Sequence, residues 1–189
     1  MSQFDHFDFL APIYDRVISL PDGDHLAQAA RLPIQGRLLD AGGGTGRIAQ
    51  TLRGQAGQII LSDISIKMLG QALKKGGLQA VGGVAENLPF PDHSFERVIM
   101  VDAYHHLVNQ HQSMLEIWRV LEPGGLLVIE EPDILEFRVK LVALAEKLAL
   151  FRSHFVRAER IAARLQTLDA VTEIVRQPPN VWIIAEKPR

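Results

Sequence analysis

The feature that most constrains this fold is a glycine-rich turn that follows a short apolar run. Leu38 and Leu39 lead into Asp40, the next residues read Ala-Gly-Gly-Gly-Thr-Gly, and a helical pattern begins at Arg47. This order indicates a strand, a tight loop and a helix. Glycines permit positive φ angles and let a ligand approach bare backbone, and the N–H groups of a helix start attract electron-rich groups. The sequence therefore predicts an α/β fold with a ligand-binding loop here.

The glycine spacing favours one class of ligand. Gly42, Gly44 and Gly46 occupy every second position, and Arg47 stands where the Gly-x-Gly-x-x-Gly dinucleotide fingerprint needs its third glycine. The run Asp-x-Gly-x-Gly-x-Gly resembles the first motif of the class I S-adenosylmethionine-dependent methyltransferases. The resemblance implies that the loop holds the methionine part of the cofactor and that Asp40 lies near its ammonium group. A plain glycine-rich turn without a ligand is the alternative.

A second acid follows the second predicted strand, residues 58–61. Asp63 lies about 20 residues after the first glycine, the separation at which wound α/β folds place a ribose-binding carboxylate. A carboxylate can accept hydrogen bonds from both ribose hydroxyls. The next residues resemble the family's D-x-S-x-x-M-L, with Ser65 as a helix N-cap. Ile64 and Met68 are predicted to form an apolar surface for adenine, with core packing as the alternative for Met68.

A third motif follows the weak third strand. Residues 83–96 closely resemble the family's GDAE-x-LPF-x-D-x-SFD. The family usually has an acid before the alanine, where it bonds the adenine amino group, but this chain has Val84. We therefore expect adenine recognition by backbone groups around Ala85 and Glu86, or a lower cofactor affinity.

The fourth predicted strand, residues 97–101, is a continuous apolar run that delivers polar residues to its carboxyl end. Ligands of open α/β sheets bind outside the carboxyl ends of the strands, so Asp102 is predicted to contact the cofactor. His105 and His106 are candidate catalytic bases because imidazole titrates near neutral pH. The favoured alternative is that the pair is only a feature of the strand end. No metal is expected, because the spacing of these residues matches no metal motif.

Two further stretches extend the resemblance. Phe7 to Asp15 resembles the FD-x-x-A-x-x-YD segment of small-molecule methyltransferases, including the ubiquinone and menaquinone group, where the tyrosine, here Tyr14, lies over the cofactor pocket. Core packing of these aromatic residues is the alternative. The stretch WRVLEPGGLLVI matches the family's RVLKPGG-x-L-x-I. Within it, residues 122–125 predict a turn into a fifth strand that begins at residue 126. Two prolines at 178 and 179 predict a hairpin between the last two strands.

The resemblance implies a single Rossmann-like domain over residues 1–189, in which residues 1–31 form a helical cap over the cofactor site. Its doubly wound, seven-stranded sheet has the order 3-2-1-4-5-7-6, with strand 7 antiparallel. A length of 189 residues fits one domain with a full core.

Composition excludes several classes of function. The formal net charge of −2 gives no general attraction to nucleic acid, and the absence of cysteine excludes disulfides, thiolate metal sites and cysteine nucleophiles. The first ten residues carry two aspartates and no apolar h-region, which argues against a signal peptide. No uninterrupted apolar run could span a bilayer. We therefore expect a cytoplasmic protein with neither a nucleic-acid nor a membrane partner.

The segment from Arg138 to Arg164 is basic, with seven Lys or Arg residues against two acids. The family often places this segment at the acceptor pocket, where its charge and apolar residues would suit an acceptor with an anionic group on a hydrophobic body. The favoured alternative is that its apolar face packs on the sheet or on a second subunit, in a homodimer, while its basic face is solvated.

Together these patterns predict an S-adenosylmethionine-dependent methyltransferase that acts on a small-molecule acceptor. Two alternatives stay open. The chain could be a non-catalytic S-adenosylmethionine-binding module, which Val84 keeps in consideration, or a nicotinamide-dependent oxidoreductase, which Arg47 disfavours.

Overall fold

The computed structural model describes residues 23–148 and 153–189. Most of the predicted cap over residues 1–31, including Tyr14, therefore lies outside the described residues. The strands are β1 (Arg37–Ala41), β2 (Gln58–Asp63), β3 (Gln79–Gly82), β4 (Phe95–Val101), β5 (Leu121–Pro132), β6 (Val171–Gln177) and β7 (Asn180–Glu186). The helices are α1 (Gly23–Ala29), α2 (Arg47–Thr51), α3 (Ile66–Lys74), α4 (Gln110–Val120), α5 (Phe137–Leu148) and α6 (Ala158–Gln166), with a 3₁₀ turn over Tyr104–His106.

The seven strands form one sheet in the order β3-β2-β1-β4-β5-β7-β6. The first five strands pair in parallel, while β7 runs antiparallel to both β5 and β6. The order and the direction of strand 7 are as predicted. The hairpin through the two prolines is also confirmed, because β6 and β7 pair from Gln177 and Asn180 onward.

The central strands are buried because helices cover both faces of the sheet. Leu38 and Val128 belong to the core that includes side chains of α1 and α2. Their sequence neighbours Leu39 and Ile129 belong to the core that includes side chains of α4 and α6. Alternate residues of a strand point to opposite faces. The continuous apolar runs in the sequence therefore reflect a sheet with two covered faces.

One predicted boundary is wrong. The sequence predicted a turn over residues 122–125 and a strand only from residue 126, whereas β5 begins at Leu121. Gly124 has a left-handed φ of 79°, but its N–H donates to the carbonyl of Lys187 at 2.8 Å, and the N–H of Lys187 donates to the carbonyl of Gly125 at 3.0 Å. These contacts with the C-terminal segment continue the strand through the glycine turn.

The carboxyl ends of β1, β2, β4 and β5 lie at one edge of the sheet, because these strands are parallel. The loop after β1, Asp63 of β2, Asp102 after β4 and the two acids near the end of β5 are thereby brought to that edge. No helix in the described part of the chain combines the length and apolar character needed to cross a membrane.

Candidate functional site

The glycine loop after β1 adopts the conformation that its sequence predicts. Gly42, Gly44 and Gly46 have φ angles of 75°, 51° and 71°, in the left-handed region that glycine tolerates best. A Cβ atom at Gly46 would lie 2.8 Å from Leu78, whereas one at Gly44 would meet only Asp63 Oδ2, at 3.9 Å. Gly46 is therefore needed for packing, while the space in front of Gly44 is open to a ligand.

The helix that follows the loop contributes less than the sequence suggested. Helix α2 has only five residues, so few aligned peptide dipoles stand behind the loop. Asp63 stabilises the loop through its side chain. Its Oδ2 atom accepts a hydrogen bond from the N–H of Gly44 at 2.9 Å, and its Oδ1 atom accepts one from the N–H of Ser65 at 2.7 Å. Asp63 thus joins the end of β2 to the glycine loop and to the start of α3.

Asp40, at the loop's other side, is a buried carboxyl with an unsatisfied oxygen. The residue is 1% exposed, and Oδ2 has no hydrogen-bond partner. Burial, with a smaller contribution from Asp63, raises the pKa of Asp40 to about 7, although Arg47 and a backbone hydrogen bond from Ala49 act in the opposite direction. A buried polar atom without a partner is uncommon in native proteins and is often found at functional sites. A cationic group beside Oδ2 would satisfy it and favour its ionised form.

Asp102 forms an ion pair with the residue that ends the glycine motif. Asp102 Oδ2 lies 2.7 Å from Arg47 Nη2, and Arg47 is 6% exposed. Asp102 also has a left-handed φ of 52°, and its N–H donates to the carbonyl of Glu130 at 3.0 Å. The predicted cofactor contact therefore stands at the edge of the loop, where it also balances the buried charge of Arg47.

The first histidine of the pair is held by a carboxylate that the sequence analysis did not assign to it. Glu131 accepts hydrogen bonds from the backbone N–H groups of Tyr104, at 2.9 Å, and His105, at 3.3 Å. Its Oε2 atom also lies 2.6 Å from His105 Nδ1, and both residues are buried. The carboxylate assigns the ring proton to Nδ1 and directs Nε2 away from Glu131. The His105 ring also stacks on Phe155, with centroids 4.3 Å apart and planes 17° apart.

The second histidine has a different environment. The rings of His105 and His106 have centroids 3.9 Å apart, and Ser153 Oγ lies 3.3 Å from His106 Nδ1. Burial, with a smaller contribution from His105, lowers the pKa of His106 to about 3. His106 is therefore neutral at physiological pH and weakly basic, which makes it the poorer candidate for a base.

The predicted adenine contacts lie at the ends of β2 and β3 but differ in exposure. Ile64 is 59% exposed and Met68 only 2%, so Ile64 is the one that is open to a ligand. Val84 forms a β-bridge with Asn87, and Ala85 is half-buried. Glu86 Oε1 accepts a hydrogen bond from the N–H of Asn109, which is the N-cap of α4. The Ser65 N-cap is confirmed, because its side chain accepts a hydrogen bond from the N–H of Met68.

One further contact of the β5 acids could have been foreseen only from the sheet order. Asn180, at the start of β7, donates to Glu130 Oε1 at 2.6 Å. Glu130 Oε2 has no partner, and burial raises the pKa of this carboxyl to about 7, aided by the nearby charge of Asp102. The signal in the sequence is a pair of consecutive acids at the end of an apolar strand. Within the described residues, no three or more His, Asp or Glu side chains are grouped so as to hold a metal ion.

The chain is similar to known methyltransferases. Residues 39–129 match the family model described as "Methyltransferase domain". The chain is 30% identical over 158 residues to the ubiquinone/menaquinone biosynthesis C-methyltransferase of Francisella tularensis subsp. novicida, with 76% of this chain and 60% of that protein covered. It is 37% identical over 139 residues to the demethylmenaquinone methyltransferase of Deinococcus radiodurans, with 66% of this chain and 58% of that protein covered.

The chain thus spans about three-fifths of the length of these two curated relatives. The fold agrees with that of solved structures. The crystal structure of a SAM-dependent methyltransferase from Thermotoga maritima has a TM-score of 0.77 to this protein at 23% identity, and the match covers 96% of this chain and 98% of that one. S-adenosylmethionine is the cofactor of this family. Residues 39–129 thus match a methyltransferase domain, and the curated relatives that resemble this chain are methyltransferases of the ubiquinone and menaquinone group.

Proposed function

We propose that this protein transfers a methyl group from S-adenosylmethionine to a small, quinone-like acceptor. The observation that carries the proposal is the open space in front of Gly44. The ribose-type carboxylate of Asp63 borders this space, and the unpartnered carboxyl of Asp40 lies in the same loop region. The acceptor class is supported by the two relatives, whose names refer to quinone biosynthesis. When bound, the cofactor supplies an electrophilic methyl group.

The described residues fit that cofactor at both ends. Asp40 Oδ2 is a buried acceptor without a donor, which suits an ammonium group, and it lies near the end of β1, just before the loop that this family uses for the methionine part. Asp63 is the acid at the ribose position, and its carboxylate offers about four acceptor sites, two of which take the backbone N–H groups of Gly44 and Ser65. The exposed side chain of Ile64 suits one face of adenine. Further predicted contacts are Tyr14, Gly42, Gly44, Gly46, Met68, Ala85, Glu86 and Asp102.

We further propose that His105 is the base that removes a proton from the acceptor. Glu131 fixes the ring orientation and the Nδ1 proton, and Phe155 stacks against one face of the ring. Residues 153–155 cover both histidines, because Ser153 contacts His106 and the N–H of His154 donates to the carbonyl of His105. A covered site holds the acceptor in position and limits access of water, and positioning is the larger part of methyl transfer.

A direct experiment is to measure methyl transfer to a quinol that lacks one ring methyl group, with radiolabelled S-adenosylmethionine. Product formation by the wild-type protein, and its loss in Asp40→Ala, is the expected result. Asp92→Ala is a matched control, because Asp92 is an exposed carboxylate that pairs with Arg119 outside the site. Cofactor binding by calorimetry without any turnover would favour the non-catalytic binding module, and binding of NADH in place of S-adenosylmethionine would contradict the proposal.

The nicotinamide alternative has a specific structural argument against it. Arg47 occupies the position of the third dinucleotide glycine, and its buried side chain is engaged with Asp102. A third glycine normally permits close packing of helix and strand at this point. This chain has the long, buried side chain of Arg47 there instead.

The remaining proposals concern partners and location. We infer a cytoplasmic protein that uses no nucleic acid, in line with a net charge of −2. A single domain over residues 1–189 with an N-terminal cap, and a homodimer, also stay predictions. Limited proteolysis with and without S-adenosylmethionine tests the cap, and sedimentation equilibrium tests the homodimer.

A further inference from the structure

Exposed apolar side chains are concentrated on helix α5 and on the short segment just before it. Phe137 is 72% exposed, Leu144 55%, and Leu141 and Val142 52% each. Leu135, just before the helix, is 43% exposed. The sequence favoured an apolar face packed on the sheet or on a second subunit. Packing on the sheet is wrong for these side chains in the described structure, because only Val139 is buried while the larger apolar residues face outward.

The exposed residues form a ridge with a positive charge on each flank. Successive residues of a helix are about 100° apart, so Phe137, Leu141 and Leu144 lie along one line, on the side opposite the buried Val139. Arg138 and Lys140, both exposed, fall on the two sides of this line. We call these five residues, the three apolar and the two basic, the α5 ridge.

The start of this helix is fixed relative to the sheet edge that carries the site. Asp133, which follows β5, is buried and accepts a hydrogen bond from Arg176 Nε at 3.0 Å. Its N–H donates to the carbonyl of Pro179 in the β6–β7 hairpin at 2.8 Å, and its Oδ1 accepts from the N–H of Leu135 at 3.0 Å. The α5 ridge therefore begins a few residues after Glu131, the partner of His105.

We propose that the α5 ridge docks on the surface of a membrane that contains anionic lipids. Helices that lie in the membrane interface bury an apolar face among the acyl chains, while flanking Lys and Arg side chains meet the anionic head groups. A helix of 12 residues suits this arrangement and is far shorter than the roughly 20 residues of a spanning helix. Membrane docking departs from the expectation of no membrane partner, because that expectation was based only on the lack of an apolar run long enough to span a bilayer.

Charge favours the lipid surface over a second copy of the chain. In a two-fold interface the same patch meets itself, so the Arg138 and Lys140 pairs of two copies would be brought together at the rim of the contact. An anionic lipid surface instead attracts the same cations to its head groups and neutralises them. This inference does not depend on methyl transfer, because lipid binding is measured without cofactor or acceptor.

The test is co-sedimentation of the full-length protein with vesicles that contain phosphatidylglycerol and with vesicles of phosphatidylcholine alone. We expect binding to the anionic vesicles that weakens as the salt concentration rises. The double variant Leu141→Glu/Leu144→Glu should bind at least about tenfold more weakly. The matched control is Leu73→Glu/Val171→Glu, which replaces two apolar residues outside α5 that are at least as exposed and makes the same change in charge, and it should keep most of the binding.

Three results would overturn the proposal. The first is no binding of the wild-type protein to anionic vesicles. The second is an equal loss in the ridge variant and in the control, which would assign the effect to net charge alone. The third is a wild-type dimer in sedimentation equilibrium that the ridge variant dissociates, which would make this face an interface between copies. Circular dichroism and cofactor binding check that both double variants are folded, and Arg138→Gln/Lys140→Gln tests the charge contribution where the glutamate variants unfold.

Discussion

The two halves of this site are built in different ways. In the cofactor half, formed by the glycine loop and the ends of β1 and β2, the partners Gly44 and Asp63 are 19 residues apart. In the acceptor half, formed by the ends of β4 and β5 and the segments that cover them, His106 and Ser153 are 47 residues apart and Glu130 and Asn180 are 50 apart. The first half rests on backbone conformation and short-range contacts, and the second rests on side chains that only the tertiary fold brings together.

The largest expected effect is on how the free energy of unfolding depends on pH. Each half contains one buried carboxyl with a raised pKa, so a variant of either carboxyl tests its own half. The pKa of Asp40 is raised from 3.8, and that of Glu130 from 4.5, each to about 7. A raised pKa means that the folded state holds the proton more tightly, so these groups lower the free energy of unfolding as pH rises from about 4 to about 7. Asp40→Asn should remove this loss, by up to about 4 kcal/mol above pH 7. Glu130→Gln should act in the same direction.

Denaturant unfolding between pH 4 and pH 8, with and without S-adenosylmethionine, measures this effect. The cofactor should reduce the pH-dependent loss that comes from Asp40, because its ammonium group favours the ionised carboxyl, and should leave the Glu130 contribution in place. An equal change of pH dependence on cofactor binding in wild type and in Asp40→Asn would contradict the assignment of Asp40 to the cofactor half.

The second prediction concerns the acceptor half alone. Glu131→Gln keeps the size of the side chain but removes the carboxylate that orients His105, so we expect kcat to fall about a hundredfold or more, with cofactor affinity unchanged. The pH profile of kcat should also change, which a purely structural role would not produce. The control is Glu116→Gln, a carboxylate that bonds Arg119 and the N–H of Leu88 outside the site. Wild-type kcat in Glu131→Gln would exclude this role for the Glu131–His105 pair.

The third prediction separates two glycines of the same loop. Gly46→Ala places a Cβ atom 2.8 Å from Leu78 and 3.0 Å from Leu61 at a left-handed φ, and should lower the free energy of unfolding by about 2–3 kcal/mol. Gly44→Ala meets nothing closer than 3.9 Å, so its cost in stability should be smaller while its cofactor affinity falls. Calorimetry measures the cofactor affinity of each variant, and denaturant unfolding measures its stability. Equal losses of stability would show that the left-handed φ angle, and not the contact with Leu78, sets the cost of each substitution.

The fourth prediction is that Asp63→Ala weakens S-adenosylmethionine binding by about 1.5–3 kcal/mol, the range for hydrogen bonds to charged groups. The loss includes the contact that fixes the N–H of Gly44. Asp63→Asn keeps one acceptor oxygen and should lose less. Normal affinity in a folded Asp63→Ala variant, measured by calorimetry, would remove Asp63 from the cofactor half.

The smallest expected effect is a gain. Val84 is 39% exposed at the position where the family usually has an acid, so Val84→Asp supplies an acceptor for the adenine amino group. We expect cofactor binding to tighten by about 1 kcal/mol, because the new carboxylate stays largely solvated. Val84→Asn tests whether a neutral acceptor suffices. An unchanged or weaker affinity would show that the pocket already satisfies adenine in another way.

The strand order was implied by the resemblance to a known family. The sequence by itself determined the glycine loop, the Ser65 cap and the hairpin through Pro178 and Pro179. Each depends on interactions between near neighbours or on backbone conformations that few residue types allow, and such preferences are visible in residue type and spacing. The early start of β5 was missed because it depends on the pairing of Leu121 with Phe95 of β4 and on backbone hydrogen bonds with Lys187, which only the fold brings together.

Only the tertiary structure decided the roles of the polar residues around the strand ends. Glu131 and His105 are adjacent because β4 and β5 pair in parallel, and the pKa of His106 falls because the fold buries its ring. Likewise, the apolar residues of α5 form an exposed ridge because Val139, and not Phe137, faces the core. Burial and the proximity of distant side chains are properties of the packed fold. For this reason, residue type and spacing could indicate which groups take part but not what each one contacts.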